Sequence, residues 1–586
     1  WEIDGEANTT TYLSSMIRSF VYNASGLDGP SPTITRHIFQ EQTLPPTRPG
    51  LFSLDYMDNT DVNVYRFSDS VTGEGAGPIL TFTDFHLMNA VDWGSLRTLG
   101  SVEFNDNTTT ATLPNSRARA AGEEGSAEMK TKENEEDEDD AALDKTFFSG
   151  SHPGEHVDTS TGEVVLVNWL GQKLPRGYRI YVYKMGADLK REVVGSVDVE
   201  HEPYSIHAVA VTGGYAALVV GPVNLRFLRT GVDLCVSCST EDRTGLPGSS
   251  TRAFVFALEP ERFLALAGAA TSSSSAAKST STGAGTSTTN SGSGASPPGA
   301  TGRKLSAETP PVADVEVGAG KDSFFVFHFV NAVLTSNNSS NSTELVLDTC
   351  AYDSMDGVVG GSEEDGGGVL GNLAGLRDKQ HRDGMRSNCD AVRRLTLSLE
   401  NGGSLVARRD LAVTAVNSTA AASASSLEAV AFPAVASSAP PNVPRSSSSL
   451  YDVRVELMSV DPRRWGRPAC YMYGLTNHAG GSSRYEDVGL VKFNACLAEG
   501  EGGRGEGDWE GEMEFEPTAT VTFSDGVYVG EPVFVGDSAG EDEDDGTLLV
   551  VSKEGASGNT ALLAFDAKTM QQVARIQAPF GTMFEF

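Results

Sequence analysis

Three histidines, His152, His207 and His328, lie within or beside strongly apolar segments of the sequence. An imidazole without a polar partner is costly in such surroundings, and each histidine taken alone is compatible with a hydrogen-bonded residue of the core. Together they indicate a metal site, because strands that converge can bring distant imidazoles onto one ion. Imidazole suits iron, zinc or copper, so the residue types alone leave the metal open.

The segments that must position these histidines are predicted to be β-strands. Short runs rich in Val, Ile, Tyr, Phe and Leu recur along the chain and are bounded by Gly, Pro, Asn and Asp. Examples are residues 179–184, 216–220, 323–328 and 548–552. Segments with helical periodicity are scarce. The sequence therefore predicts an all-β protein.

A weak internal repeat refines this prediction. Residues 92–102 and 566–576 share an Asp, two further residues, a Ser or Thr and then an apolar residue, and residues 188–197 are a shortened copy. An Asp at this position can bond its own backbone and open a hairpin turn that leads into the next strand. Turns repeated along a many-stranded chain indicate the blades of a β-propeller, with an array of β-sandwiches as the alternative.

Five segments interrupt the strand pattern and are predicted to be disordered loop insertions in a single domain that spans residues 1–586. They contain too few large apolar residues to offset the entropy of ordering. We expect them to extend surface loops of one compact scaffold. They lie at about residues 115–143, 267–311, 356–376, 415–447 and 498–513.

Composition and charge limit the classes of partner. The 586-residue chain has a formal net charge of −35, which argues against a nucleic-acid partner because phosphate binding needs clustered Lys and Arg. No apolar run reaches the roughly 18 residues that predict a transmembrane helix, and no targeting peptide is visible. The six cysteines are too sparse for a disulfide framework.

A series of short motifs surrounds the three histidines and continues after them. The motifs are Ser151–Pro153 with Asp158 and Thr161–Glu163, Tyr204–Thr212, Phe327–Ala332 followed by Leu345–Tyr352, Gly466–Pro468, Tyr471–Gly474, and Gly526–Val535 followed by Glu541–Leu549. In type and order they resemble the landmarks of the carotenoid cleavage oxygenase family. Apart from the insertions, the resemblance runs from about Asp61 to the C-terminus.

The resemblance implies a seven-bladed β-propeller that carries Fe(II) on four histidines. His152, His207 and His328 correspond to three of these ligands, and Met583 stands where the fourth is expected. The family also supports its ligand imidazoles with carboxylates, which fix the orientation of the rings. The residues that correspond to these carboxylates are Asp84, Glu456 and Glu531.

Two departures from the family pattern bear on this expectation. A thioether is a weak ligand for Fe(II), so with Met583 in the fourth position three histidines and open coordination positions would remain. The family's Asn-Gly-Pro and Phe-Asp-Gly-Asp landmarks are also absent near Trp1. We therefore expect an incomplete first blade and a fragment of a longer product.

The resemblance implies an Fe(II)-dependent dioxygenase that uses O2 to cleave a double bond of a carotenoid or apocarotenoid, giving aldehyde or ketone products. The alternative is an iron-free, catalytically inactive propeller that binds carotenoids or acts as a scaffold. A zinc hydrolase is disfavoured because no HExxH motif occurs. Family members reach their lipid substrates from a membrane surface, so peripheral membrane contact is expected, in a plastid or in the cytoplasm.

Overall fold

The computed structural model describes most of the predicted strands and leaves the long polar segments between them outside its described residues. The described ranges are 2–4, 9–11, 63–67, 78–83, 88–102, 146–174, 177–200, 206–221, 225–227, 234–236, 250–259, 262, 309–337, 342–352, 391–413, 454–477, 488–495, 514–515, 517–521, 523, 527–538, 540–555 and 557–578.

The chain divides into two compact units. One unit comprises Trp1–Leu347 with Leu395–Arg408, and the other comprises Asp348–Arg394 with Arg409–Phe586. Both units are built from strands, joined in places by short 3-10 turns. The prediction of an all-β protein is therefore confirmed.

The first unit begins with a hairpin and three antiparallel sheets. The hairpin pairs β1 (Glu2–Asp4) with β2 (Thr9–Thr11). Sheet 1 contains β3 (Asn63–Tyr65), β4 (Ile79–Phe82), β5 (Asn89–Val91) and β6 (Thr98–Ser101), in that order. Sheet 2 has the order β11-β10-β9-β7 with β8 also on β9, and its strands are β7 (Thr146–Ser149), β8 (Gly154–Val157), β9 (Val164–Lys173), β10 (Tyr178–Met185) and β11 (Arg191–Val199).

Sheet 3 follows sheet 2, and in the sequence a second hairpin lies between two of its strands. The strands that follow are β12 (Ala210–Thr212), β13 (Tyr215–Val220), β14 (Leu225–Phe227), β15 (Leu234–Val236), β16 (Ser250–Ala257) and β17 (Ala313–Ala319). Sheet 3 has the order β12-β13-β16-β17, and β14 pairs with β15 alone. Sheet 4 contributes residues to both units and contains β18 (Phe325–Asn337), β19 (Ser342–Tyr352), β20 (Ala391–Ser398) and β21 (Ser404–Val413), in that order.

The second unit contains two further sheets. The strands of this part of the chain are β22 (Arg454–Ser459), β23 (Tyr471–Asn477), β24 (Val488–Asn494), β25 (Glu514–Phe515), β26 (Pro517–Val521), β27 (Val527–Val529), β28 (Val533–Gly536), β29 (Gly546–Glu554), β30 (Thr560–Asp566) and β31 (Gln572–Gln577). Sheet 5 has the order β22-β23-β24-β26, and β25 adds to sheet 4 in parallel with β21. Sheet 6 has the order β27-β29-β30-β31, with β28 also on β29.

Six sheets of four or five strands thus succeed one another along the chain, as the blades of a β-propeller do. The prediction of a β-propeller is therefore confirmed. Within the described ranges there are six such sheets, so a seventh blade stays a prediction. Within the same ranges, no helix has both the length and the apolar character needed to cross a bilayer.

The predicted insertions lie almost wholly outside the described residues. The exception is the end of the segment predicted at 267–311, where Thr309 is buried and its carbonyl oxygen accepts a hydrogen bond from Ser196 N at 3.0 Å.

Two pairs of sheets that follow one another in the sequence share apolar cores. Leu80 and Leu166, from sheets 1 and 2, lie in one cluster of buried side chains. Tyr473 of sheet 5 belongs to a second cluster with Phe534 of sheet 6, and the two rings stack with centroids 5.4 Å apart. Burial on this scale favours folding by roughly 1.5–3 kcal/mol for each large side chain, so sheets 1 and 2 stabilise each other, as do sheets 5 and 6.

The predicted Asp turn is present in sheets 1 and 6. Asp566 Oδ1 accepts hydrogen bonds from the backbone nitrogen and the hydroxyl of Thr569, both at 2.7 Å, and Met570 follows with φ of 58°. Asp92 makes the corresponding pair of bonds to Ser95 at 2.9 and 2.6 Å. A non-glycine residue at positive φ is unfavourable on its own, so the Asp bonds compensate for a strained hairpin.

We expect Asp566→Ala to lower the free energy of unfolding by about 1 kcal/mol, because it removes two hydrogen bonds that hold a strained turn. Asp566→Asn should recover most of this loss, since the amide oxygen can accept the same bonds. Urea unfolding provides the measurement. The control is Asp188→Ala in the shortened copy, where the carboxylate accepts one bond from Lys190 N at 3.0 Å; an equal or larger loss in the control would contradict this account of the turn.

Candidate metal centre

The backbone holds the segments of His152 and His207 side by side. The carbonyl oxygen of His207 accepts hydrogen bonds from Ser151 N at 3.1 Å and from His152 N at 3.0 Å, and Val209 N donates to the carbonyl oxygen of His152 at 3.0 Å. His152 and Ala208 form an isolated parallel bridge. These bonds fix two residues that are far apart in sequence at adjacent positions, just before β8 and β12.

The third histidine comes from a long strand of the same unit. His328 lies near the start of β18, and its ring centroid is 5.0 Å from that of His152 and 5.0 Å from that of His207. The centroids of His152 and His207 are 4.6 Å apart. One ring nitrogen from each of the three lies within 4.8 Å of the other two. The structure therefore brings together all three histidines that the sequence singled out.

The electrostatics of the cluster keep the His152 imidazole ready to bind a cation. Burial, reinforced by the nearby His207 and His328, holds the pKa of His152 well below its usual range. Neutral imidazole, which has a free nitrogen lone pair, is the form that binds a metal. Three half-buried imidazoles with converging nitrogens fit a transition-metal ion with nitrogen preference, such as iron or zinc.

Apolar residues flank His207. Ile206, Ala208 and Val209 are buried on the His207 segment. The ring of Phe327 lies edge-on to that of His207 with centroids 5.4 Å apart, and Phe325 packs in turn against Phe327 at 5.1 Å. Apolar neighbours of this kind lower the local dielectric, which strengthens electrostatic interactions of a bound ion.

The hydroxyl of Ser151 approaches two of the histidines. Its Oγ lies 3.1 Å from His152 Nδ1 and 3.0 Å from His207 Nδ1, and Ser151 is fully buried. The sequence analysis placed Ser151 within a motif but gave it no role. The available signal was its position directly before a predicted ligand, which alone does not distinguish a contact from a neighbour.

The structure describes two of the three carboxylates that are predicted to support the histidines. Asp84 and the expected fourth-ligand position Met583 lie outside the described residues. Glu456 is buried in the second unit, where its carboxylate accepts hydrogen bonds from the Tyr352 hydroxyl at 2.5 Å and from Leu457 N at 2.8 Å. Glu531 belongs to the same unit and is exposed. Support of the histidines by these carboxylates stays a prediction.

A second group of potential metal ligands in the described residues consists of Asp542, Asp544 and Asp545. Lys568 Nζ lies 2.6 Å from Asp542 and 3.3 Å from Asp545, and Lys492 Nζ lies 2.7 Å from Asp544. Two lysines thus already offset the charge of this loop, which makes it an ion-pair network within the second unit.

A buried carboxylate outside the cluster fixes the turn that follows His152. Glu259 Oε1 accepts hydrogen bonds from Thr159 N at 3.0 Å and Thr159 Oγ1 at 2.6 Å, and lies 3.3 Å from His156 Nε2. Burial alone would raise the pKa of Glu259, but these bonds outweigh it and lower the pKa below its usual value. Glu259 therefore joins the end of β16 to the turn between β8 and β9.

We expect Glu259→Ala to lower the free energy of unfolding by about 2 kcal/mol, because it removes a buried carboxylate that accepts two hydrogen bonds from Thr159 and contacts His156. Chemical denaturation of the purified chain measures the change. Glu163→Ala, at an exposed residue near the same turn, is the matched control and should stay within about 0.5 kcal/mol of the parent. A loss at Glu259 no larger than that of the control would show that this carboxylate does not hold the turn.

Comparison with known proteins provides two sequence matches. Residues 303–586 match the family model described as retinal pigment epithelial membrane protein, a range that includes His328. A curated carotenoid dioxygenase of Neurospora crassa is 40% identical over 57 residues. That match covers 10% of this chain and only 9% of the Neurospora protein.

Solved structures match almost the whole chain. A variant of Synechocystis apocarotenoid oxygenase has a TM-score of 0.55 at 14% identity, over 97% of this chain and 81% of that one. The cobalt-substituted Synechocystis enzyme has a TM-score of 0.55 at 13% identity, with the same coverage. At this identity the structural match shows a shared fold. Together with the two sequence matches, it confirms the resemblance of this chain to the carotenoid cleavage oxygenases that the motifs predict.

Proposed function

We propose that the protein is an Fe(II)-dependent dioxygenase that cleaves a conjugated double bond of a carotenoid or apocarotenoid, giving aldehyde or ketone products. The observation that carries the proposal is the cluster of three imidazoles contributed by His152, His207 and His328. A structural core has little use for three histidines whose nitrogens converge, because each must be kept neutral in an apolar setting.

The cluster suits an oxygenase both in the ligand nitrogens that it provides and in the coordination positions that it leaves open. His152, His207 and His328 would hold the ion through neutral nitrogens and leave further coordination positions for small molecules. When bound, ferrous iron supplies the redox chemistry by which O2 reacts with an alkene. Phe327 lies edge-on to His207, and Ile206 and Val209 are buried on the same segment, so the neighbourhood of the cluster is apolar enough to suit a polyene.

The names of the similar proteins agree with this proposal. One is a carotenoid dioxygenase and another an apocarotenoid oxygenase. The Synechocystis enzyme has also been obtained in cobalt-substituted form, so a metal belongs to that relative. These facts concern those proteins, and they support the same substrate class and metal dependence here.

Several finer features belong to the same proposal. They are a seventh blade, imidazole support by Asp84, Glu456 and Glu531, and peripheral contact with a membrane that gives access to a lipid-soluble polyene. Partners would be the polyene and O2, without nucleic acid, and the site of action a plastid or the cytoplasm. The acidic net charge of −35 favours a partner other than nucleic acid.

The second candidate is an iron-free propeller that binds carotenoids or acts as a scaffold. Met583, at the position expected for the fourth histidine, favours it. A three-histidine site without the fourth ligand would bind iron more weakly, and a sufficiently weak site would be empty in the cell. Metal binding therefore separates the two candidates.

We expect the purified chain, reconstituted anaerobically with Fe(II) and desalted, to retain about one iron per chain. His207→Ala and His328→Ala should each reduce the retained iron at least tenfold, because each removes a ligand. His156→Ala is the matched control and should retain iron, since His156 contacts Glu259 instead of the cluster. A parent chain that folds but retains no more iron than His207→Ala would favour the iron-free alternative.

We expect the iron-loaded chain to bleach the visible absorption of an apocarotenoid in the presence of O2, because cleavage shortens the conjugated system. With 18O2 the carbonyl products should carry the heavy isotope. His328→Ala should abolish the bleaching. Binding of the polyene without bleaching by a fully iron-loaded chain would contradict the dioxygenase and leave a carotenoid-binding role.

A further inference from the structure

The fully buried Ser151 hydroxyl lies between two of the predicted metal ligands. Its Oγ is 3.1 Å from His152 Nδ1, 3.0 Å from His207 Nδ1 and 3.3 Å from His207 Nε2. We propose that Ser151 is a positioning residue of the metal centre, whose hydroxyl binds the Nδ1 atoms of His152 and His207 and so presents Nε2 of both rings to the ion. This inference rests on the metal-dependent function proposed above.

The position of the hydroxyl is set by the backbone on both sides of it. Ser151 N donates to the carbonyl oxygen of His207 at 3.1 Å, and Asn168 Nδ2 donates to the carbonyl oxygen of Gly150 at 2.8 Å. A Cβ at residue 150 would lie 2.4 Å from Asn168 Oδ1 and 2.7 Å from Trp169 Nε1, so only glycine allows this close approach to β9. Ser151 is therefore held rigidly enough to orient its neighbours.

A serine hydroxyl has the hydrogen-bonding capacity that two metal-bound imidazoles require. When a metal takes the Nε2 lone pairs of two neutral imidazoles, both Nδ1 atoms carry hydrogen and need acceptors. Ser151 Oγ has two lone pairs for them, and its own hydrogen can go to the carbonyl oxygen of His207, 3.3 Å away. Because Oγ lies almost equally close to both nitrogens of His207, that ring must turn slightly for its Nδ1–H to point at Oγ.

A hydroxyl in this role differs from a carboxylate in charge. It fixes the orientation of the His152 and His207 imidazoles without itself adding a negative charge to the cluster. Ser151 also couples two ligands through one atom. Loss of the hydroxyl should therefore loosen His152 and His207 together.

Cobalt(II) titration of the purified full chain tests the proposal without any measurement of activity. Co(II) alone is the probe, and its visible absorption reports the ligand geometry while the titration gives the dissociation constant. The variants are Ser151→Ala, Ser151→Thr, which keeps the hydroxyl, and Ser149→Ala. Ser149 is equally buried two residues away, and its hydroxyl lies 3.5 Å from the carbonyl oxygen of Gly150.

We expect Ser151→Ala to weaken Co(II) binding by about 10- to 100-fold, as loss of a group that orients metal ligands typically does, and to change the visible spectrum. Ser151→Thr and Ser149→Ala should keep the affinity and spectrum of the parent. A Ser151→Ala chain that melts at the parent temperature and binds Co(II) with parental affinity and spectrum would overturn the role of Ser151 alone. A parent chain that binds neither Co(II) nor Fe(II) would overturn the metal centre itself.

Discussion

The carbonyl oxygen of His207 accepts hydrogen bonds from two consecutive backbone nitrogens, those of Ser151 and His152. The rest of the candidate site depends on this contact. It joins the segment before sheet 2's β8 to the segment before sheet 3's β12, and it brings two imidazoles within 4.6 Å of each other. The bonds are made by the main chain, so they leave the side chains of both histidines available for a ligand.

The surrounding sheets provide the paired backbone groups that such a contact requires. Two buried segments can meet only where their backbone N–H and C=O groups are paired, because unpaired backbone groups in an apolar core are costly. Sheet 2 fixes Gly150 against Asn168, and β18 of sheet 4 brings His328 to the same place. Glu259 fixes the following turn through Thr159. The cluster is thus a product of several rigid elements, each placing one side chain.

Much of this arrangement could be predicted from the sequence, for identifiable reasons. His152, His207 and His328 stood out because imidazoles are rare in strongly apolar strands, and all three converge. The Asp turn at Asp566 was predictable because its hydrogen bonds are local. The role proposed for Ser151 was not, since it depends on a contact with His207 across 56 positions. Similarly, the sequence around Glu456 gave no sign of its bond to Tyr352, which crosses 104 positions.

The central claim, that three imidazoles form a metal centre, is tested most directly by X-ray absorption spectroscopy at the iron edge of the Fe(II)-loaded chain. The account predicts nitrogen or oxygen neighbours around the iron, with the outer-shell scattering of about three imidazole rings. It also predicts loss of one ring's contribution in a chain that lacks His328. An iron surrounded only by oxygen, with no imidazole scattering, would contradict the account and place the metal elsewhere on this acidic protein.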